Sequence, residues 1–146
     1  MVRSILAVVV SYVAMFVLEF IAFTCAYLIA GADFAFKPGV YEASTAWIGL
    51  TLVLNIVVSI IGGFICILIA KRGKAPLVLA IVAVVLGIVV ALADSKKGQM
   101  NAGMVRGANT PQLEAVQKAY WPVWVPFTFP FISAIGILSG SKLKRS

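Results

Sequence analysis

The chain has 146 residues, 62% of them hydrophobic and only 12% charged, with a formal net charge of +7 and a mean hydropathy of +1.08. A water-soluble domain of this length is about half apolar and about a quarter charged, so the composition excludes an ordinary soluble fold and points to an all-α membrane protein. With no histidine among its residues, the chain also lacks the commonest metal ligand, the usual general base and the usual axial ligand of haem or pigment.

A helix that crosses the bilayer needs roughly 20 predominantly apolar residues, and four stretches qualify. The first, about 4–29, is longer than the roughly 7–15-residue apolar region of a cleavable signal peptide and reads as a retained helix. It is apolar around a single acid, Glu19, in "AMFVLEFIAF". Residues 32–44 form a loop with Pro38-Gly39 as its turn signal. The second span, about 45–70, opens near Trp47, a candidate interface anchor. It carries Thr51, Asn55, Ser59 and Gly63 four residues apart, with Gly62 and Cys66 beside them. A tight basic hairpin, Lys71 to Pro76, leads into the third span, about 77–93, in which Ala83, Gly87 and Ala91 again fall four apart. In lipid, helices associate through small residues and interhelical hydrogen bonds, so these stripes mark the packing faces of one four-transmembrane-helix bundle.

Residues 94–120 make the long polar segment. Gly-rich and irregular at first, it then offers Asn109 and Thr110 as caps and Pro111 at a first helical position. Leu113, Val116 and Tyr120 follow at helical spacing, predicting a short amphipathic helix on the outer surface before the fourth span. That span, about 121–139, begins "WPVWVPFTFPF". Trp121 and Trp124 are further anchor candidates, Pro122 suits a helix start, and Pro126 and Pro130 predict a late, irregular or kinked beginning. Gly136 and Gly140 extend the small-residue packing.

The charges sort by side. Arg3, Lys71, Arg72, Lys74, Lys142, Lys144 and Arg145 fall on one side with no acid among them. Lys37, Lys96, Lys97, Arg106 and Lys118 fall on the other with Asp33, Glu42, Asp94 and Glu114. The positive-inside rule puts both termini and the hairpin in the cytoplasm. The basic residues flank spans and line no domain face, so no nucleic-acid partner is expected. Cys25 and Cys66 fall near opposite ends of neighbouring spans, on the order of 20 Å or more apart and too far for a disulfide.

Glu19 lies slightly outward of the middle of its span, and Asn55 matches that depth in a second span of opposite direction. Intramembrane acids turn inward and seek partners, so the pair is expected to meet as a protonated Glu19 bonded to the Asn55 amide. Structural glue, a contact to another subunit or cofactor, and a proton or cation site are the three roles open to Glu19.

Gly62 to Gly87, "GGFICILIAKRGKAPLVLAIVAVVLG", with "GADFAFKPGVYEASTAW" before it and Pro122-Val-Trp124 after it, resembles a group of uncharacterised four-span bacterial inner-membrane proteins. The resemblance implies a bacterial plasma membrane and carries over no activity. Small multidrug antiporters also have four spans and a glutamate in the first. Their chains are shorter, however, and their aromatic–glycine patterns in the later spans are not evident here.

No metal-ligand cluster, phosphate-cradling loop or nucleophile beside a base is present, so a non-enzymatic protein is expected. The favoured reading is an accessory or structural subunit of a larger membrane complex, respiratory or photosynthetic among the candidates, or a homo-oligomer. Its expected partners are the bilayer, other membrane subunits or copies of itself, and its expected bound component is lipid. The alternative is a small proton- or cation-coupled transporter or channel using Glu19.

Overall fold

A computed structural model describes residues 1–71, 73–107 and 110–144. Four of its helices are long and apolar enough to cross a membrane: α1 (Val2–Ala30), α3 (Thr45–Ala70), α4 (Ala75–Asn101) and α6 (Trp124–Lys142). Two short helices, α2 (Ala32–Ala35) and α5 (Gln112–Lys118), belong to the connections. The chain is thus an all-helical, multi-pass architecture. The start of α1, the end of α3, the start of α4 and the end of α6 lie at one end of the bundle, here the terminal end. The α1–α3 and α4–α6 connections gather at the other, here the crown. Arg72, Ala108, Asn109, Arg145 and Ser146 lie outside the described residues, and with them two of the sorted cations and the Asn109 cap candidate.

Each helix boundary has a local cause. Ser44 caps α3, its Oγ accepting the Trp47 N–H at 3.1 Å. At the far end of α3, the chain reverses through Lys71 at φ 63° and Gly73 at φ 108°, and Pro76 then sits in the first turn of α4, where its missing N–H costs nothing. Arg3 of α1 reaches across the terminal end and donates from Nε to the Ile69 carbonyl at 2.7 Å. It thereby places a cation against the orphan carbonyls of the α3 C-terminus.

One helix limit differs from the sequence reading. The segment after Ala93, expected to be irregular, continues α4 to Asn101. Nothing in "DSKKGQMN" stops a helix strongly enough, and Gly98 alone weakens it only modestly. The last long helix starts at Trp124, three residues after Trp121, as a late start predicts. Pro126 therefore falls in the first turn and breaks nothing, because first-turn N–H groups have no intrahelical partner. The Pro122 carbonyl, which Pro126 was expected to leave without a donor, accepts the Val125 N–H at 2.9 Å. Pro130 does lie inside the helix.

The long helices occupy four corners. The most extensive interfaces are α3 with α6 and α4 with α6, then α1 with α3, while α1 meets α4 over a shorter stretch. The α3–α6 contact is as close as backbones allow. A Cβ on Gly63 would collide with the Ile137 carbonyl, and one on Gly140 with the Ile60 carbonyl. A Cβ on Gly136 would come within 2.6 Å of the Ser59 side chain, and one on Gly87 within 2.5 Å of the Pro130 ring. Pro130 thus lodges in the groove that Gly87 leaves on α4, and Gly62 receives Met15 from α1 in the same way. Thr51, Ser59, Ala83 and Ala91 are all buried. The packing stripes foreseen on α3, α4 and α6 are where the helices meet.

Candidate functional site

The terminal half of the bundle is closed. Ala7, Cys66, Leu79 and Ile137 have no exposed surface, and Ala75, Ala80 and Ala83 fill in around them. Small residues on α1 and α4 let those helices touch here. Toward the crown the two helices part, and the gap becomes a cleft of about 310 Å³. Its back wall is α6 and α3 through Phe129, Pro130, Ser133 and Asn55, and its sides are α1 and α4.

Glu19 stands in this cleft. Asn55 donates from Nδ2 to Glu19 Oε1 at 2.9 Å, and the Ser133 hydroxyl donates to Asn55 Oδ1 at 3.0 Å. The depth match between Glu19 and Asn55 corresponds to a direct bond. The third member, Ser133, was not foreseen, because a single serine on an apolar helix gives no pattern to read. The chain of bonds ties α1 to α3 and α3 to α6. It uses both ends of the Asn55 amide, so Asn55 acts as the bridge and Glu19 and Ser133 as its two termini.

A second acid lines the same cleft. Asp94 sits on α4 beyond the expected end of the third span and faces the gap with Trp121 and Phe23. The sequence reading assigned it to a polar loop, and only the continuation of α4 as a helix brings it to the cleft wall. Among the described residues neither lysine nor arginine lines this space. Phe23, Asp94 and Trp121 also line a second cavity of about 250 Å³ beneath the crown, whose wall includes Trp47, Tyr27, Tyr120 and Lys97.

The crown that roofs this second cavity is held by contacts distant in sequence. Pro38-Gly39 makes the expected turn, with Gly39 at φ 72° and the Val40 N–H donating to the Lys37 carbonyl. Isolated bridges pair Phe36 with Ala43, Val40 with Val105 and Glu42 with Tyr120. Tyr41 is buried and donates its hydroxyl to Glu114 Oε1 at 2.7 Å, and Lys118 donates to the same oxygen at 2.9 Å. The Tyr41 bond first, and then Lys118, hold the Glu114 carboxyl below the usual carboxylate range. The bond to Glu114 pushes the Tyr41 phenol up, helped by burial. The same carboxylate raises Lys118. The Arg106 guanidinium is buried over the Phe36 ring and pairs with the exposed Asp33 at 3.1 Å.

Several expected roles change in this setting. Trp47, expected as an interface anchor, is buried among Phe23, Tyr27 and Phe34, with ring centroids 6.2–6.5 Å away. Trp121 packs edge-on to Phe129 and forms cleft wall, whereas Trp124 is exposed. A helix does follow Pro111, but Pro111 precedes it as the cap residue, and Thr110 donates to Gly107 without capping it. Tyr120 lies past its end, in the bridge to Glu42. Cys25 and Cys66 are both free thiols. Among the described residues no group of His, Cys, Asp and Glu could hold a metal ion.

Compared with known proteins, the chain matches no family model, no curated protein and no solved structure.

Proposed function

We propose that this chain is a non-enzymatic structural or accessory protein of a bacterial plasma membrane, built to associate with other membrane subunits or with copies of itself. The observation that carries this reading is the way the interior polar groups are used. Glu19, Asn55 and Ser133 bond to one another across three helices, and the bundle below them is shut by buried Ala7, Cys66, Leu79 and Ile137. Groups engaged in tying helices together, above a packed half whose interior polar side chains include the fully buried Ser11 and Ser59 and, among the described residues, no charged one, suit a scaffold better than a conducting path. The sorted cations orient both termini to the cytoplasm. In that orientation α5 lies on the outer membrane surface, with its exposed Leu113 and Val116 turned to lipid.

A second reading, a small proton- or cation-coupled transporter, has the cleft in its favour, since it brings Glu19 and Asp94 onto the walls of one space. Purification of the tagged full chain from native membranes in mild detergent separates the two. The accessory reading expects stoichiometric partner subunits, or a defined homo-oligomer, and no proton-linked flux after reconstitution into liposomes. A monomer that drives such flux refutes it.

A further inference from the structure

We propose that the cleft between α1 and α4 is a binding site for a small organic cation, an ammonium group carried on an apolar body, that enters from the bilayer. This inference concerns the cleft alone and stands apart from the question of subunit partners.

The argument begins with charge. The cleft wall carries the carboxyl groups of Glu19 and Asp94 and, among the described residues, no cationic side chain. Asn55 occupies one oxygen of Glu19, and among the described residues no donor is bonded to Asp94. Lys97, one turn on from Asp94 along α4, is close enough to act on its charge but lies outside the cleft lining and donates its ammonium to the Val116 carbonyl at 2.7 Å. Two acids in a largely apolar space then complement a ligand that brings the positive charge itself.

The lining supplies the second argument. Phe16, Phe23, Trp121 and Phe129 face the space together with Tyr12. Faces of Trp, Tyr and Phe attract alkylammonium groups, most strongly where water is excluded, and an aromatic cage beside a carboxylate is the usual recognition element for a quaternary ammonium. The apolar remainder of the wall, which includes Ala83, Gly87 and Val90, suits a hydrocarbon or aryl body. A volume of about 310 Å³ is at the small end of ligand pockets.

Access gives the third. Phe16 and Val90 line the cleft from its two sides and are also 67% and 56% exposed. They therefore mark a mouth on the outer surface of the bundle, between α1 and α4, at the depth of the spans. A ligand reaching that mouth arrives through the membrane, which selects for an amphipathic cation over a strongly hydrated inorganic one.

The test is equilibrium binding of radiolabelled benzyltrimethylammonium to the full chain in maltoside micelles, with neopentylbenzene, its uncharged carbon analogue, as competitor. Saturable binding of one cation per chain is expected, with neopentylbenzene competing at least about tenfold more weakly because it lacks the charge. Glu19→Gln preserves an amide partner for Asn55, and Asp94→Asn alters the wall without touching the interhelical bonds; each is expected to weaken binding at least about tenfold with melting temperature unchanged. Trp121→Leu is expected to weaken the cation and spare the neutral competitor. Absence of saturable binding to the wild-type chain overturns the proposal. So does equal affinity for the uncharged analogue, which needs no variant to fold, and so does unaltered binding in Asp94→Asn.

Discussion

The two halves of this bundle are made from the same four helices and solve opposite problems. At the terminal end, alanines and glycines draw the backbones together, and the bond from Arg3 to the Ile69 carbonyl sits only at the rim. At the crown end α1 and α4 separate, large rings line the gap, and order is supplied by specific bonds: Asn55 between Glu19 and Ser133, Tyr41 and Lys118 on Glu114, Arg106 on Asp33. The contrast teaches that in lipid, where burial of apolar surface gives helices little reason to associate, contact area comes from small side chains. A space can be left open only where polar bonds take over the work of fixing the walls.

The sharpest way to break the comparison is to fill the closed half. Gly140→Val or Gly63→Val puts side-chain atoms where a backbone carbonyl already sits. Overpacking that only backbone movement can relieve should cost about 3 kcal/mol or prevent a stable bundle altogether. Unfolding in mixed micelles measures it. Gly49→Ala is the control, because nothing lies within 4 Å of the added methyl; there the gain in helix propensity should stabilise α3 by about 0.5–1 kcal/mol.

The next effect belongs to the open half. Asn55→Leu leaves both the Glu19 carboxyl and the Ser133 hydroxyl without their partner, at a cost of about 2 kcal/mol, whereas Ser133→Ala removes one bond and should cost about 0.6 kcal/mol, a typical value for interhelical bonds in lipid. The same unfolding titration reads both. If Asn55→Leu proves no worse than Ser133→Ala, the bridging role assigned to Asn55 is wrong.

The smallest effect is the crown's response to pH. Glu114 has its pKa lowered, so its contribution is present above the ordinary carboxyl range and is lost as pH falls through the lowered value. Lys118 and Tyr41 are raised, so theirs are present below their ordinary values and are lost as pH rises through the raised ones. Near-ultraviolet circular dichroism from the Tyr41–Trp47 region should hold steady across neutral pH and weaken at both extremes, below about pH 4 and above about pH 10. In Tyr41→Phe the acid limb should move to higher pH, because Glu114 has lost its principal donor, while the helical signal of the four spans stays unchanged.

The sequence showed the parts of this architecture that depend on local composition. Length and hydropathy mark four spans, and spacing of four residues marks the stripe from Thr51 to Gly63 because a helix returns to one face at that interval. The Glu19–Asn55 bond was readable because two polar groups in apolar spans have few places to go. What stayed hidden needs tertiary placement. Asp94 reached the cleft only because α4 outlasts its apolar run. The partners of Tyr41 and Asp33 lie 73 residues away in each case, and no periodicity reports a contact of that range. Trp47 was read from its position at a span's start, yet the aromatic cluster that buries it comes from α1 and α2.

The interface between α3 and α6 has a further consequence for biogenesis. The helix with the two largest contact surfaces is the fourth to be delivered to the membrane, so α1, α3 and α4 must wait in lipid with Ser59, Gly63 and Gly87 uncovered and half of the Asn55 amide unanswered. A nascent chain stalled before Trp124 has only the α1–α3 interface and the slighter contacts of α4 to rest in. It offers an unsealed polar seam to the proteases and chaperones that patrol unassembled membrane proteins, which makes completion of synthesis, more than insertion of any earlier segment, the step that commits the chain to its final form.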